Sequence, residues 1–136
     1  MVRAKGTKQV AAEQRIRVLF VDDEPEILEA LERIFRRERG HWDLRFAQSG
    51  SDALEELRRE GVDVVVSDLR MPVMDGATFL AAVRAEFPKT IRIVLSESSD
   101  SQLFERAWPS SHMMLTKSCE HRSLRDAIAR LVDVAA

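Results

Sequence analysis

Apolar residues along this chain follow two alternating rhythms. Short runs of consecutive, often β-branched residues are separated by longer stretches in which apolar positions recur every three or four residues. The first run, IRVLFV from Ile16, leads into PEILEALERIFRRERG, where Ile27, Leu28, Leu31, Ile34 and Phe35 share one helical face. The pairing repeats: a strand over 42–47 with a helix over 51–60, and a strand over 62–67 with a helix over 77–87. It continues with a strand over 91–96 and a weaker helix near 100–107, then a strand over 112–117 and a helix over 123–134. Pro25 suits the first turn of the first helix and Gly40 its end, with Arg36, Arg37 and Arg39 near the negative helix terminus. Trp108-Pro109 is expected to close the fourth helix early, because proline disfavours helical backbone in the residue before it.

Five near-continuous apolar strands alternating with five helices predict an α/β fold. Its sheet is parallel, since such neighbours need crossover connections, and both faces are covered by helices. Residues 1–15 are polar and basic without a sustained period, so they are predicted to form a flexible leader before one folded domain over 16–136.

Composition narrows the function classes. With 136 residues, 45% hydrophobic and 32% charged, the chain reads as one soluble domain. A formal net charge of −2 offers no electrostatic case for nucleic-acid binding. No apolar run approaches the ~20 residues of a membrane span and no secretory signal opens the chain, which places it in the cytoplasm with no membrane partner. The single Cys119 excludes an internal disulfide, and His41, His112 and His121 show no zinc-site spacing with it. A metal held by oxygen ligands stays open.

Ligands of open parallel sheets bind beyond the carboxyl ends of the strands, where strand order reverses. This sequence ends its first strand on Asp22 and Asp23, its third on Asp68, its fourth on Ser96 and its fifth on Lys117. Each has an innocent reading alone: the acids before Pro25 suit a helix start, Asp75 before Gly76 suits a helix cap, and Ser96 and Lys117 suit loops. Their joint placement at one edge favours a site. Three crowded carboxylates repel one another unless a cation joins them, and Mg²⁺ prefers hard oxygen ligands together with phosphate oxygens. On this reading Asp22 and Asp23 hold Mg²⁺, Asp68 attacks a phosphoryl group, and Ser96 and Lys117 meet the phosphoryl oxygens.

Four segments, FVDDEP (20–25), SDLRMPVMDG (67–76), VLS (94–96) and LTK (115–117), resemble the receiver domain of bacterial two-component response regulators over about residues 15–134. The resemblance implies a flavodoxin-like, doubly wound sheet of order 2-1-3-4-5. It also implies Mg²⁺-dependent phosphorylation of Asp68, and metal ligation by the backbone carbonyl of Arg70. The expected donor is a sensor histidine kinase or phosphotransfer protein, and the expected readout is an unknown output protein or domain, with phosphorylation-dependent homodimerisation allowed. In that family the phosphate is read by a hydroxyl at the Ser96 position, which moves the loop after the fourth strand and the face around the fourth helix, fifth strand and fifth helix. Such a domain is a phosphoacceptor that assists its own phosphorylation and dephosphorylation, rather than an enzyme acting on other molecules. The wording around HWDLRFAQSG also looks like receivers attached to HD-type output domains. Either the chain acts alone by docking, or it is a fragment of a larger regulator.

Three departures from the family pattern stand out. Glu97 occupies a position where a small residue is usual, and would oppose a phosphate by ~1 kcal/mol if it pointed inward and by almost nothing if it pointed out. Ser118 follows Lys117 where the family has a cis proline; the peptide is expected to be trans, with Lys117 re-aimed. Met114 replaces an aromatic switch residue, and Met113-Met114 reads as adaptable packing or as a tolerant docking surface. These departures support an alternative, a degenerate receiver serving as a phosphorylation-independent interaction module. A small Mg²⁺-dependent phosphohydrolase ranks last, because Asp68 lacks the DxD spacing of that nucleophile loop. The acidic edge likewise disfavours a flavin phosphate.

Overall fold

The computed structural model describes residues 15–97 and 101–135. The proposed leader lies outside the described residues except for Arg15. The elements run β1 (Ile16–Val21), α1 (Pro25–Phe35), β2 (Trp42–Ala47), α2 (Gly50–Glu60), β3 (Val64–Ser67), α3 (Gly76–Glu86), β4 (Ile91–Ser96), α4 (Ser101–Ala107), β5 (Met113–Thr116) and α5 (His121–Ala135). All strand pairs are parallel, and the sheet order is 2-1-3-4-5.

Strand side chains alternate between two cores. Leu19, Val21, Val65 and Val94 pack under α2 and α3, joined by Ala107 of α4; Val18, Phe20, Val66 and Ile93 pack under α1 and α5 through Leu28, Leu31, Leu124 and Ile128. Burial on both faces explains why β3 and β4 read as unbroken apolar runs.

Several element ends differ from the sequence reading. The first helix stops at Phe35 rather than running to Gly40, and residues Arg36–Glu38 tighten into a 3-10 turn. Phe35 is wedged between Phe20 and Trp42, with ring centroids 5.6 and 5.9 Å away, and the chain must turn at once to bring Trp42 into that stack. Gly40 therefore caps nothing. The third strand begins at Val64, because Val62 and Asp63 serve the preceding connection: the Arg17 backbone N–H donates to the Asp63 carboxylate at 2.8 Å. The fifth strand spans only Met113–Thr116, and α5 starts two residues earlier than expected. Helix α4 does end at Ala107, where Trp108–Ser110 form a 3-10 turn around Pro109. No helix among the described residues is long and apolar enough to cross a membrane.

Candidate functional site

Backbone ladders carry the polar residues to one edge. Beyond the strands proper, the Asp22 N–H donates to Ala47 O at 3.1 Å, the Asp68 N–H to Val21 O at 2.9 Å and the Lys117 N–H to Ser96 O at 2.8 Å. Asp22, Asp68 and Lys117 are thus each the first residue past a strand end, still held in the sheet's register, while Ser96 is the last residue of β4.

The five side chains meet. Asp22 and Asp68 are 3% and 7% exposed, Asp23 is half-buried, and one carboxylate oxygen from each lies within 4.8 Å of the others. Lys117 Nζ stands 2.9 Å from Asp22 Oδ2 and 3.6 Å from Asp68 Oδ2. Asp68 Oδ1 accepts hydrogen bonds from the Leu69 backbone N–H at 2.9 Å and from Ser96 Oγ at 3.0 Å. The helix-start reading of the acids is partly right as well, since Asp22 Oδ1 accepts from the Glu24 backbone N–H at 3.0 Å. Asp22 thus has one oxygen in a local turn and the other on Lys117.

Electrostatics here are unresolved by the protein alone. Burial, reinforced by the charge of Asp22, pushes the Asp68 carboxyl above its ordinary value, against the opposing pull of Lys117, Ser96 and the Leu69 N–H. Burial would depress Lys117, but its hydrogen bond to Asp22 and the charges of Asp68, Asp22 and Glu24 outweigh that and raise it. One ammonium faces three carboxylates, a donor set that fits a hard divalent cation. The ligand chemistry and the close convergence of the oxygens both suit Mg²⁺.

Asp75 is a cap and not a member of this group. Its Oδ1 accepts from the Thr78 N–H at 2.8 Å at the start of α3. Arg106 of α4 reaches the other oxygen at 2.8 Å and Thr78 Oγ1 at 3.2 Å, a clamp between α3 and α4 that no local sequence signal announces. Gly76 fits the same place for steric reasons. A Cβ there would lie 2.1 Å from the carbonyl oxygen of Asp68, so the helix can seat against the Asp68 backbone only with glycine. Within the same loop Val73 is fully exposed with φ of 70°, a conformation that β-branched residues rarely adopt.

The departures take definite shape. The Lys117–Ser118 peptide is trans, yet Lys117 is not re-aimed and reaches both acids; Ser118 Oγ pairs with Thr116 Oγ1 at 2.9 Å instead. Glu97 is exposed, the orientation in which its opposition to a phosphate is smallest. Met114 packs against the core covered by α2 and α3 and Met113 against the other core, while both residues line one surface pocket with Trp108, Ser111 and His112. Arg70 is exposed.

Comparison with known proteins decides the family. The model of the response regulator receiver domain matches residues 18–129. The chain belongs to that family. Receivers interact with histidine kinases and output domains and bind Mg²⁺ in an acidic pocket of the kind formed here by Asp22, Asp23 and Asp68. In sequence this receiver is similar to the probable transcriptional regulatory protein TcrX of Mycobacterium tuberculosis, with 40% identity over 55% of this chain and 31% of the relative. It is also similar to a protein-glutamate methylesterase/protein-glutamine glutaminase of Oleidesulfovibrio alaskensis, at 35% identity over 60% of the chain and 22% of the relative. The chain therefore spans less than a third of these curated relatives. Among solved structures it resembles the signal receiver domain of an HD domain-containing protein from Pseudomonas fluorescens Pf-5. There the TM-score is 0.83 and the identity 29%, covering 89% of this chain and 97% of the other. That likeness agrees with the HD-type wording of the sequence.

Proposed function

We propose that this receiver is a phosphorylation switch whose acceptor is Asp68. The supporting observation is the meeting of Asp22, Asp23 and Asp68 within 4.8 Å, with Lys117 beside two of them and Ser96 Oγ on Asp68 Oδ1. Asp22, Asp23, one oxygen of Asp68 and the backbone carbonyl of Arg70 would hold Mg²⁺, which supplies charge neutralisation for the arriving phosphoryl oxygens. The free Asp68 oxygen attacks the phosphorus of a phosphohistidine. The new O–P bond forms as the P–N bond breaks, and the imidazole leaves with that electron pair and takes a proton from solvent. Lys117, held cationic by its neighbours, pairs with the phosphoryl oxygens, and Ser96 exchanges its bond to Asp68 for one to the phosphate.

That exchange biases the loop after β4 and the face made by α4, β5 and α5. The phosphate shifts this equilibrium only by as much as it binds one state better than the other. The donor is a sensor kinase or phosphotransfer protein, and the readout is an output domain or partner, including a second copy of this chain. The fit of Lys117 through a trans peptide weighs against the degenerate alternative.

Incubation with Mg²⁺ and acetyl phosphate tests the proposal. Intact mass should rise by one phosphoryl group in the wild type and not in Asp68→Asn. Labelling that persists in the variant would move the acceptor elsewhere, and labelling in neither, even with a kinase donor, would favour the degenerate module.

A further inference from the structure

A second charged region lies away from the acidic edge. The last turn of α1, the 3-10 turn after it and the first turn of α5 enclose a groove of about 470 Å³. Arg33, Arg37, Arg122 and Arg125 line it with a single carboxylate, that of Glu38. The pairing is uneven. Arg36 and Arg39, on the same stretch of chain, share the two oxygens of Glu32 at 2.9 and 2.6 Å. Arg125 lies 3.9 Å from Glu38 and 3.1 Å from Asp126. Among the described residues, Arg33, Arg37 and Arg122 take part in no ion pair, although the chain as a whole carries a net charge of −2. Arg33 lies in the last turn of α1 and Arg37 in the 3-10 turn that follows, so both bring a cationic fork to the same end of the helix.

We propose that this groove binds a small molecule bearing two linked phosphates. Guanidinium groups present rigid forks that match phosphate oxygens in pairs, and a cavity of this size falls in the range of small-ligand sites. The occupant would brace α1 against α5, and α5 follows directly on the loop that carries Lys117. The site is independent of phosphotransfer at Asp68, whose side-chain partners do not line it.

The test titrates the full chain with sodium pyrophosphate in EDTA-containing buffer, at ionic strength held constant with chloride, following backbone and arginine Nε–H resonances. Saturable shifts around Arg33, Arg37 and Arg122 are expected, with a dissociation constant of roughly 1 mM or below. The double variant Arg37→Gln/Arg122→Gln should weaken binding about tenfold or more, a loss of roughly 1.4 kcal/mol, with an unchanged circular dichroism spectrum. Should that variant unfold, Arg37→Lys/Arg122→Lys keeps the charge while losing the forks and should bind several-fold more weakly. Shifts that stay linear, that centre on Lys117, or that persist unweakened in the folded variants would overturn the proposal. So would a groove indifferent to pyrophosphate whose double variant loses transfer from a kinase, which would make it a face for an acidic protein.

Discussion

The two ends of β4 both bury polar side chains, and they do so in opposite ways. At the amino end, Arg92 is 7% exposed, and its guanidinium donates to Ser110 O at 2.7 Å, Thr90 O at 2.9 Å and Pro88 O at 3.2 Å. Thr90 Oγ1 donates to Val62 O at 2.8 Å, and the Arg92 backbone N–H donates to His112 Nδ1 at 2.9 Å. Every partner is a neutral acceptor on a connection that needs fixing. At the carboxyl end, Ser96 opens onto acids that face one another, with one lysine between them. The amino end saturates its hydrogen bonds with neutral partners, although burial and the charge of Arg84 hold Arg92 below its ordinary value. The carboxyl end instead crowds three carboxylates around one ammonium. Burial of charge therefore does not mark function by itself; several like-charged side chains converging on one strand edge are the stronger sign.

Metal binding should separate the two ends most widely. Asp23→Asn is expected to weaken Mg²⁺ affinity about tenfold or more, whereas Arg92→Met leaves it within about twofold, as read by calorimetric titration. Equal effects would erase the distinction.

Stability should separate them next, with opposite signs. Arg92→Met leaves several carbonyls without their donor and is expected to lower the free energy of unfolding by about 2–3 kcal/mol. Asp68→Asn should raise it at neutral pH, because burial and Asp22 disfavour the ionised carboxyl in the folded state. Urea titrations of both variants check the pair, and a destabilised Asp68→Asn would contradict the like-charge account.

Acid should reveal the smallest difference. Burial, followed by the charge of Arg92, holds His112 below its ordinary value near 6.5, and its Nδ1 is occupied as an acceptor. Below that ordinary value the unfolded chain takes up the proton first. The contribution of His112 is thus complete above about pH 6.5 and is lost as pH falls through the folded value. Asp68, raised in the fold, slopes the other way, contributing less as pH rises above its unfolded value near 3.8. Comparing melting temperatures of wild type and His112→Asn between pH 7.5 and 5 isolates the histidine, since the asparagine oxygen retains the acceptor; parallel curves would remove its role.

Much of this was legible in the chain. Alternating apolar rhythms located ten elements, and strand ends located the acids, Ser96 and Lys117, because a residue just past a buried parallel strand has few directions open to it. The remainder depended on distance in sequence. Arg92 reads as one polar letter in IRIVLS, and its partners at Ser110 and His112 are about twenty residues away. Arg106 clamps Asp75 across 31 positions. The early end of α1 follows from a three-ring stack whose third member, Trp42, belongs to another strand. Periodicity reports which face a residue occupies, but not who meets it there.

The loop after Asp68 holds two extremes three residues apart. At Gly76 a hydrogen is the only substituent the neighbouring carbonyl admits, while at Val73 a side chain hangs in water on a backbone shaped for glycine. Across related chains the first position should be nearly monomorphic, and the second should vary in side chain while favouring glycine and asparagine. A distant relative could thus be recognised by one letter and excused for the other.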